Sequence, residues 1–160
     1  PELPAVAPTP KRPKPVAVRS LDELQIIGRV ENVFIQSTSV KLKARIDTGA
    51  GLTSLHAVDI VEFERDGEPW VKFKVKVKKL PPIKIERPIE RFVNIKMKNG
   101  DTQRRPVVLI STKLGEIEEQ VETTLTDRSD YVYPVLIGRN FLRDRAIVDV
   151  SRKFTAKYPK

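Results

Sequence analysis

The fold is decided by the segment Val40-Lys41-Leu42-Lys43-Ala44-Arg45-Ile46-Asp47-Thr48-Gly49-Ala50. Apolar and basic residues alternate over residues 40–46, the period of two expected of a strand with one face in a core and the other in water. This strand runs directly into Asp47, so the sequence predicts a carboxylate at a strand-to-loop junction. The small residues Gly49 and Ala50 would let another segment approach that carboxylate closely.

The rest of the chain predicts a series of β-hairpins. Asp66-Gly67 separates strands expected over residues 58–64 and 70–77, and Asn99-Gly100 separates strands expected over 92–98 and 105–111. Such dipeptides favour tight hairpin turns. Further strands are expected over residues 117–125, 135–137, 146–150 and 154–157, and only residues 21–25 and 140–145 look helical. We predict an all-β fold, a closed β-barrel of hairpins with one short helix near the C-terminus.

A lysine-rich strand is predicted over residues 71–78. Its apolar residues are Val71, Phe73, Val75 and Val77, and lysines occupy the four alternate positions from Lys72 to Lys78. The lysines either keep the strand soluble and block edge-to-edge pairing, or form a stripe that binds anions. The pattern alone leaves both interpretations open.

Composition limits the classes of protein to consider. The chain has 160 residues, the size of one domain, and its 30 Lys and Arg against 21 Asp and Glu give a net charge of +9, which attracts anionic partners. It has no cysteine, which excludes disulfides and thiol nucleophiles. No apolar run approaches the roughly 18 residues of a membrane span. Residues 1–20, rich in proline and basic residues, are expected to form a flexible arm, with the folded domain over residues 21–160.

A second motif is Tyr133-Pro134-Val135-Leu136-Ile137-Gly138-Arg139-Asn140-Phe141-Leu142, an apolar strand followed by glycine and a short helical turn. Asp-Thr-Gly-Ala followed later by two aliphatic residues and Gly-Arg-Asn resembles the retropepsin family of aspartic proteases. In that family a hydrophobic-hydrophobic-Gly element packs behind the catalytic loop. The long separation of Asp47 from Gly138 implies inserted hairpins between them.

A closer resemblance extends from Ile26 to Val150. It rests on residues 43–50, Thr53-Ser54-Leu55-His56-Ala57, Leu125-Thr126-Asp127-Arg128-Ser129, Tyr133-Pro134, Ile137-Gly138-Arg139 and Val148-Asp149. These motifs, in this order, resemble the bacterial family called ATP-dependent zinc proteases, which has a retropepsin-like fold. Some members are associated with ATP-grasp ligases that add glutamates to a protein tail, and trim those glutamates. Other members carry an export signal.

The resemblance implies a homodimeric aspartic endopeptidase with Asp47, Thr48 and Gly49 as its catalytic residues. One Asp-Thr-Gly is present in the chain, and the mechanism requires two carboxylates that share a proton, so the second must come from another copy. The expected substrate-binding residues are Ala50, Asp127, Arg128 and Arg139. Asp127 and Arg128 could equally form a turn with a local ion pair. The alternative function is a non-catalytic module that binds a peptide or partner.

The residues themselves give little support for zinc or ATP. His56 is the single histidine, and no Gly-rich loop with a following Lys and Ser or Thr is present. We therefore expect no metal, no cofactor and no ATP. Aromatic and basic residues are not interleaved as on a nucleic-acid surface, so no nucleic acid is expected either. The proline-rich arm favours the periplasm or cell envelope, with the cytoplasm as the alternative.

Overall fold

The computed structural model describes residues 24–36, 38, 40–127 and 132–158. The described strands are β1 (Gln25–Gly28), β2 (Val30–Ile35), β3 (Leu42–Ile46), β4 (Thr53–His56), β5 (Val58–Arg65), β6 (Glu68–Val77), β7 (Leu80–Pro88), β8 (Arg91–Lys96), β9 (Thr102–Leu114), β10 (Ile117–Thr126), β11 (Val135–Ile137) and β12 (Ala146–Asp149). The one helix described, α1, is Arg139–Leu142. The arm expected over residues 1–20 lies outside the described residues.

The strands form three sheets. A seven-stranded sheet has the order β10-β4-β11-β3-β2-β9-β8, and an additional pairing of β10 with β9 makes the pairings of six strands a closed cycle. β5, β6 and β7 form a second sheet, and β1 pairs in parallel with β12 in the third. The predicted all-β class with one short helix near the C-terminus is confirmed, although the strands are divided among three sheets and do not make one formal barrel.

Alternating burial explains the strand that leads to Asp47. Leu42, Ala44 and Ile46 on β3 are buried, and Lys43 and Arg45 are exposed. Burying each large aliphatic side chain contributes roughly 1.5–3 kcal/mol, so a register slip by one residue would move the basic side chains into the core. The strand predicted over residues 40–46 is confirmed from residue 42 onward.

The sheet β5-β6-β7 is inserted between β4 and β8. The predicted hairpin turn is present, with positive φ at Asp66 (52°) and Gly67 (81°), as a tight hairpin requires. Val71, Phe73 and Val75 of β6 belong to the same buried cluster as the residues of the large sheet. β7 is missing from the predicted strands because its prolines suggest a break, but an edge strand tolerates proline.

The predicted strand over residues 154–157 is wrong. Phe154 has φ of 53°, and the N–H groups of Thr155 and Ala156 donate to the Glu31 carboxylate at 2.9 and 3.1 Å. Gly28 N–H donates to the same carboxylate at 2.6 Å, and Glu31 is 1% exposed. The buried Glu31 carboxylate thus accepts the hydrogen bonds of the N–H groups that would pair with a neighbouring strand if residues 154–157 were a strand.

The two predicted helices also need correction. Gln25 begins β1, where it pairs with Ala146 of β12, so residue 25 is extended; residues 21–23 lie outside the described part. The helix expected over residues 140–145 is a single turn, Arg139–Leu142, followed by a turn in which Asp144 has φ of 63°. The helix ends at Leu142 because Arg143 leaves the helical conformation, with ψ of 128°.

Candidate active site

Asp47 is held between two parallel strands. β11 pairs with β3 so that Ile137 lies opposite Ile46. The Asp47 N–H continues this ladder and donates to the Ile137 carbonyl at 2.8 Å. The pairing of β3 with β11 therefore fixes the position of the Asp47 backbone at the end of the sheet.

The loop after Asp47 folds back on the carboxylate. Gly49 N–H donates to Asp47 Oδ1 at 2.9 Å, and Ala50 N–H donates to the Asp47 carbonyl at 3.3 Å. A Cβ at position 49 would lie 3.2 Å from Oδ1, so glycine leaves the carboxylate uncrowded. Asp47 is half-buried, and Thr48 and Gly49 are exposed. The carboxylate is thus oriented by its own loop and open on the outer side.

The start of α1 clasps this loop. Arg139 N–H donates to the Ala50 carbonyl at 2.8 Å, Asn140 N–H donates to the Gly51 carbonyl at 3.2 Å, and Arg139 Nη1 donates to the Thr48 carbonyl at 3.1 Å. A Cβ on Gly138 would overlap the Leu52 carbonyl and lie 3.0 Å from the Ala50 oxygen. The close approach of two backbones therefore requires glycine at position 138.

A buried polar network supports the clasp from behind. Gly138 N–H donates to Thr53 Oγ1 at 3.2 Å, and Thr53 Oγ1 donates to Asn140 Oδ1 at 2.9 Å. Asn140 Nδ2 donates to the Glu122 carbonyl at 2.7 Å, and Arg91 Nε donates to Glu122 Oε2 at 2.9 Å. Thr53 and Asn140 were absent from the predicted site residues. The sequence signal for them is their place in two motifs, Thr53-Ser54-Leu55-His56-Ala57 and Gly138-Arg139-Asn140.

The predicted site residues divide into two groups. Asp47, Thr48, Gly49, Ala50 and Arg139 come together in one hydrogen-bonded loop. Asp127 instead lies 3.6 Å from His56 Nδ1 at the other end of β4, where His56 N–H donates to the Pro134 carbonyl at 2.7 Å, before β11 begins. Arg128 lies outside the described residues. A substrate role for Asp127 and Arg128 stays a prediction.

The β1-β12 sheet adjoins the Asp47 strand. The Arg29 carbonyl accepts the Ile46 N–H at 2.9 Å, and Arg29 N–H donates to the Arg152 carbonyl at 2.8 Å. Ile26 and Ile147 are register partners, 55% and 38% exposed, and Val150 after β12 is 71% exposed. We call these three residues, which lie on β1, on β12 and just after β12, the terminal patch. Arg29, the residue after β1, is hydrogen-bonded to the strand that leads to Asp47.

Asp149, at the end of β12, has a lowered pKa. Ser151 Oγ donates to Asp149 Oδ1 at 2.6 Å and Ser151 N–H donates to the same oxygen at 3.0 Å. These hydrogen bonds favour the ionised form and lower the pKa of Asp149. Asp149 therefore keeps its negative charge at the end of β12 into acidic solution.

Residues 24–36, 38, 40–127 and 132–158 contain no group of three or more His, Cys, Asp or Glu side chains that could hold a metal ion. None of the helices among them has the length and hydropathy needed to cross a bilayer.

An aspartate at the end of a strand, on a Thr-Gly loop clasped by a Gly-Arg-Asn turn, defines a protein of the retropepsin-like class. A family model described as retropepsin-like aspartic endopeptidase RimB matches residues 26–159. The chain belongs to this RimB-like family, which confirms the resemblance inferred from its motifs.

Two similar proteins are much longer than this chain. A probable alpha-L-glutamate ligase from Shewanella pealeana is 38% identical over an alignment of 142 residues, which covers 83% of this chain and 30% of that protein. A protein of the same name from Desulfotalea psychrophila is 36% identical over 111 residues, 68% of this chain and 24% of that protein. This chain thus spans less than a third of the length of these relatives. A crystal structure of a Legionella pneumophila protein of unknown function is 36% identical, with a TM-score of 0.73, covering 83% of this chain and 98% of that one.

Proposed function

We propose that this chain is an aspartic endopeptidase that acts as a homodimer, with the Asp47 side chains of two copies flanking one water molecule. The observation that carries the proposal is the geometry of the Asp47 loop. Its carboxylate is oriented by Gly49 N–H at 2.9 Å, its backbone is fixed by Ile137, and its outer side is accessible.

Two such carboxylates in contact share one proton, because like charges a few ångströms apart do not both ionise easily. The ionised carboxylate takes a proton from water, and the protonated one donates to the substrate carbonyl oxygen. The oxygen of water bonds to the carbonyl carbon, and the C–N bond then breaks as nitrogen receives a proton. One water is consumed, and a carboxylic acid and an amine are released.

The terminal patch supports a two-fold arrangement. Ile26, Ile147 and Val150 expose apolar surface next to the strand that leads to Asp47. A second copy covering this surface would remove it from water. In the proposed dimer this is the contact that would bring the two Asp47 loops together.

We propose acidic, glutamate-rich peptides as the substrates. The net charge of +9 favours anionic partners, and the longer relatives are named for glutamate ligation. Those relatives contain a segment similar to this chain, and a peptidase of this family could remove glutamate residues from a peptide. The ligase name belongs to the whole relatives, of which this chain matches less than a third.

The test is Asp47→Asn, assayed by mass spectrometry on a glutamate-rich peptide and on a neutral peptide. We expect cleavage to fall at least about 100-fold, since the variant lacks the acid–base group. Asp66→Asn is the matched control, because Asp66 lies in an exposed hairpin turn with φ of 52°, which Asn also adopts. Unchanged cleavage by Asp47→Asn would refute the assignment. A wild-type dimer that binds the peptides but cleaves neither would favour the non-catalytic binding module.

A further inference from the structure

The outward face of the β5-β6-β7 sheet has an unusual distribution of lysines. Lys72, Lys74 and Lys76 alternate along β6 with the buried residues Val71, Phe73 and Val75. Lys84 of β7 lies directly opposite Lys74, so it lies on the same face. We call these four residues the lysine face.

Protection of a sheet edge does not explain this face. β6 is the central strand, hydrogen-bonded to β5 on one side and to β7 on the other, so its lysines guard no free edge. Like charges directly opposite each other on neighbouring strands are destabilising, and Lys74 opposite Lys84 is such a pair. The stability of the fold alone would therefore not favour lysines at these neighbouring positions.

Carboxylates neutralise only part of this charge. Asp59 pairs with Lys74 at 3.3 Å, and Glu86, which lies opposite Lys72, pairs with Arg65 at 2.8 Å. In the part of the chain that the structure describes, no carboxylate forms an ion pair with the ammonium groups of Lys72, Lys76 or Lys84. These three cations remain available to an anionic partner.

We propose that the lysine face is a docking surface for an extended acidic polypeptide, distinct from the Asp47 loop. Side chains on one face of a strand repeat every two residues, at about 6.6–6.8 Å. An extended peptide has the same repeat, so its alternate glutamates match Lys72, Lys74 and Lys76 in turn. Lys84 adds a cation across the strand. The inference rests on the proposed function only in that the substrate is acidic.

The aromatic residues of this face favour a polypeptide over a nucleic acid. Phe63 and Trp70 are register partners on β5 and β6. The Arg65 guanidinium covers both rings, at 5.2 and 4.3 Å from their centroids, and Glu86 holds that arginine in place. Single-stranded nucleic acids bind through bases stacked on open rings, and these two rings are already covered.

The experiment measures binding of a fluorescent glutamate peptide of about ten residues by anisotropy, with Asp47→Asn present throughout to prevent cleavage. We expect the combined substitution of Lys72, Lys76 and Lys84 by Thr, which keeps strand propensity, to weaken binding about tenfold or more. The control replaces Lys41, Lys113 and Lys153 by Thr and removes the same net charge elsewhere. We expect it to weaken binding only about twofold.

Three results would overturn the proposal. Equal losses in the two triple variants would show a general field effect, and loss of oligonucleotide binding with unchanged peptide binding would assign the face to nucleic acid. Cleavage is measured separately on chains that retain Asp47. If wild type cleaves nothing while the lysine variant alone loses peptide binding, docking stands and the peptidase proposal fails. If wild type cleaves and the lysine variant keeps both its affinity and its KM, docking alone fails.

Discussion

Thr53 joins the Asp47 loop to the helix that clasps it. Its hydroxyl accepts Gly138 N–H and donates to Asn140 Oδ1, and the side chain is 1% exposed. Removal of a buried hydroxyl leaves its partners without compensation from water, which costs more than the net value of the bond itself. The helix turn that clasps the Asp47 loop is thus held in place by one small buried hydroxyl.

We predict that Thr53→Val lowers the free energy of unfolding by about 1–3 kcal/mol, because the shape is kept while two buried polar groups lose their partner. Denaturant unfolding followed by circular dichroism measures the change. Thr102→Val, at an exposed position that begins β9, should change stability by less than about 0.5 kcal/mol. A loss no larger than that of the control would show that the Thr53 hydroxyl is not needed.

Glu31 has the corresponding role for the C-terminal segment. Its buried carboxylate accepts three backbone N–H groups, those of Gly28, Thr155 and Ala156. We predict that Glu31→Gln lowers the free energy of unfolding by about 2 kcal/mol or more, because the amide nitrogen offers a donor where an acceptor is required. Thermal or denaturant unfolding tests this. Exposed Glu64→Gln is the control, and equal stability of the two variants would contradict the interpretation.

At the scale of elements, the β1-β12 sheet has only two strands in the described residues. Two-stranded sheets are marginally stable alone and have unpaired edges. Here the sheet is fixed to β3 through Arg29 and keeps Ile26 and Ile147 exposed on one face. In the dimer proposed above, this exposed face is the expected contact with the second copy.

We predict that Ile147→Glu weakens the proposed dimer at least about tenfold and lowers cleavage in parallel, because it places a charge in an apolar contact where that charge would lose its hydration. Analytical ultracentrifugation over a concentration series gives the dimer constant. Leu80→Glu, at a residue 54% exposed where β7 begins, is the control and should leave both quantities unchanged. A dimer of wild-type strength in Ile147→Glu would place the interface elsewhere.

At the scale of the whole molecule, the C-terminal segment closes the fold over β2. Tyr158 packs edge-on against Phe34 with ring centroids 5.2 Å apart, and its hydroxyl donates to the Asn32 carbonyl. Burial raises the pKa of Tyr158 above its ordinary value of 10.0, because the phenolate is poorly solvated there. Contact between the chain's last described residue and its second strand therefore depends on an un-ionised phenol.

The raised pKa of Tyr158 makes the stability of the protein depend on pH in alkaline solution. A raised pKa in the folded state gives stability that is fully present below pH 10.0, the ordinary value, and is lost as pH rises through the folded value. We predict that wild-type stability falls above pH 10 and that Tyr158→Phe is less stable by about 1 kcal/mol at neutral pH. The variant should show a shallower alkaline decline. Parallel stability curves for the two proteins between pH 9 and 11.5 would refute this account.

Local patterns account for much of the fold. Alternation predicted the strand before Asp47, and the Asp66-Gly67 and Asn99-Gly100 turns placed two hairpins, because strand period and turn geometry are set by neighbouring residues. The failures have a different origin. Residues 154–157 alternate like a strand, but the distant carboxylate of Glu31 bonds their amides. Residue 25 joins β1 because β12 lies beside it.

The sequence by itself determined the all-β class, the Asp47 loop and the family to which the chain belongs. The class follows from the local alternation of apolar and polar residues, and the loop and the family follow from short motifs. Tertiary structure alone decided that Thr53 and Asn140 support the loop, that Asp127 lies with His56 at the other end of β4, and that β6 is a central strand. The physical reason is that hydrogen-bond partners, burial and strand order depend on residues far apart in the chain. No local pattern specifies which of them will meet.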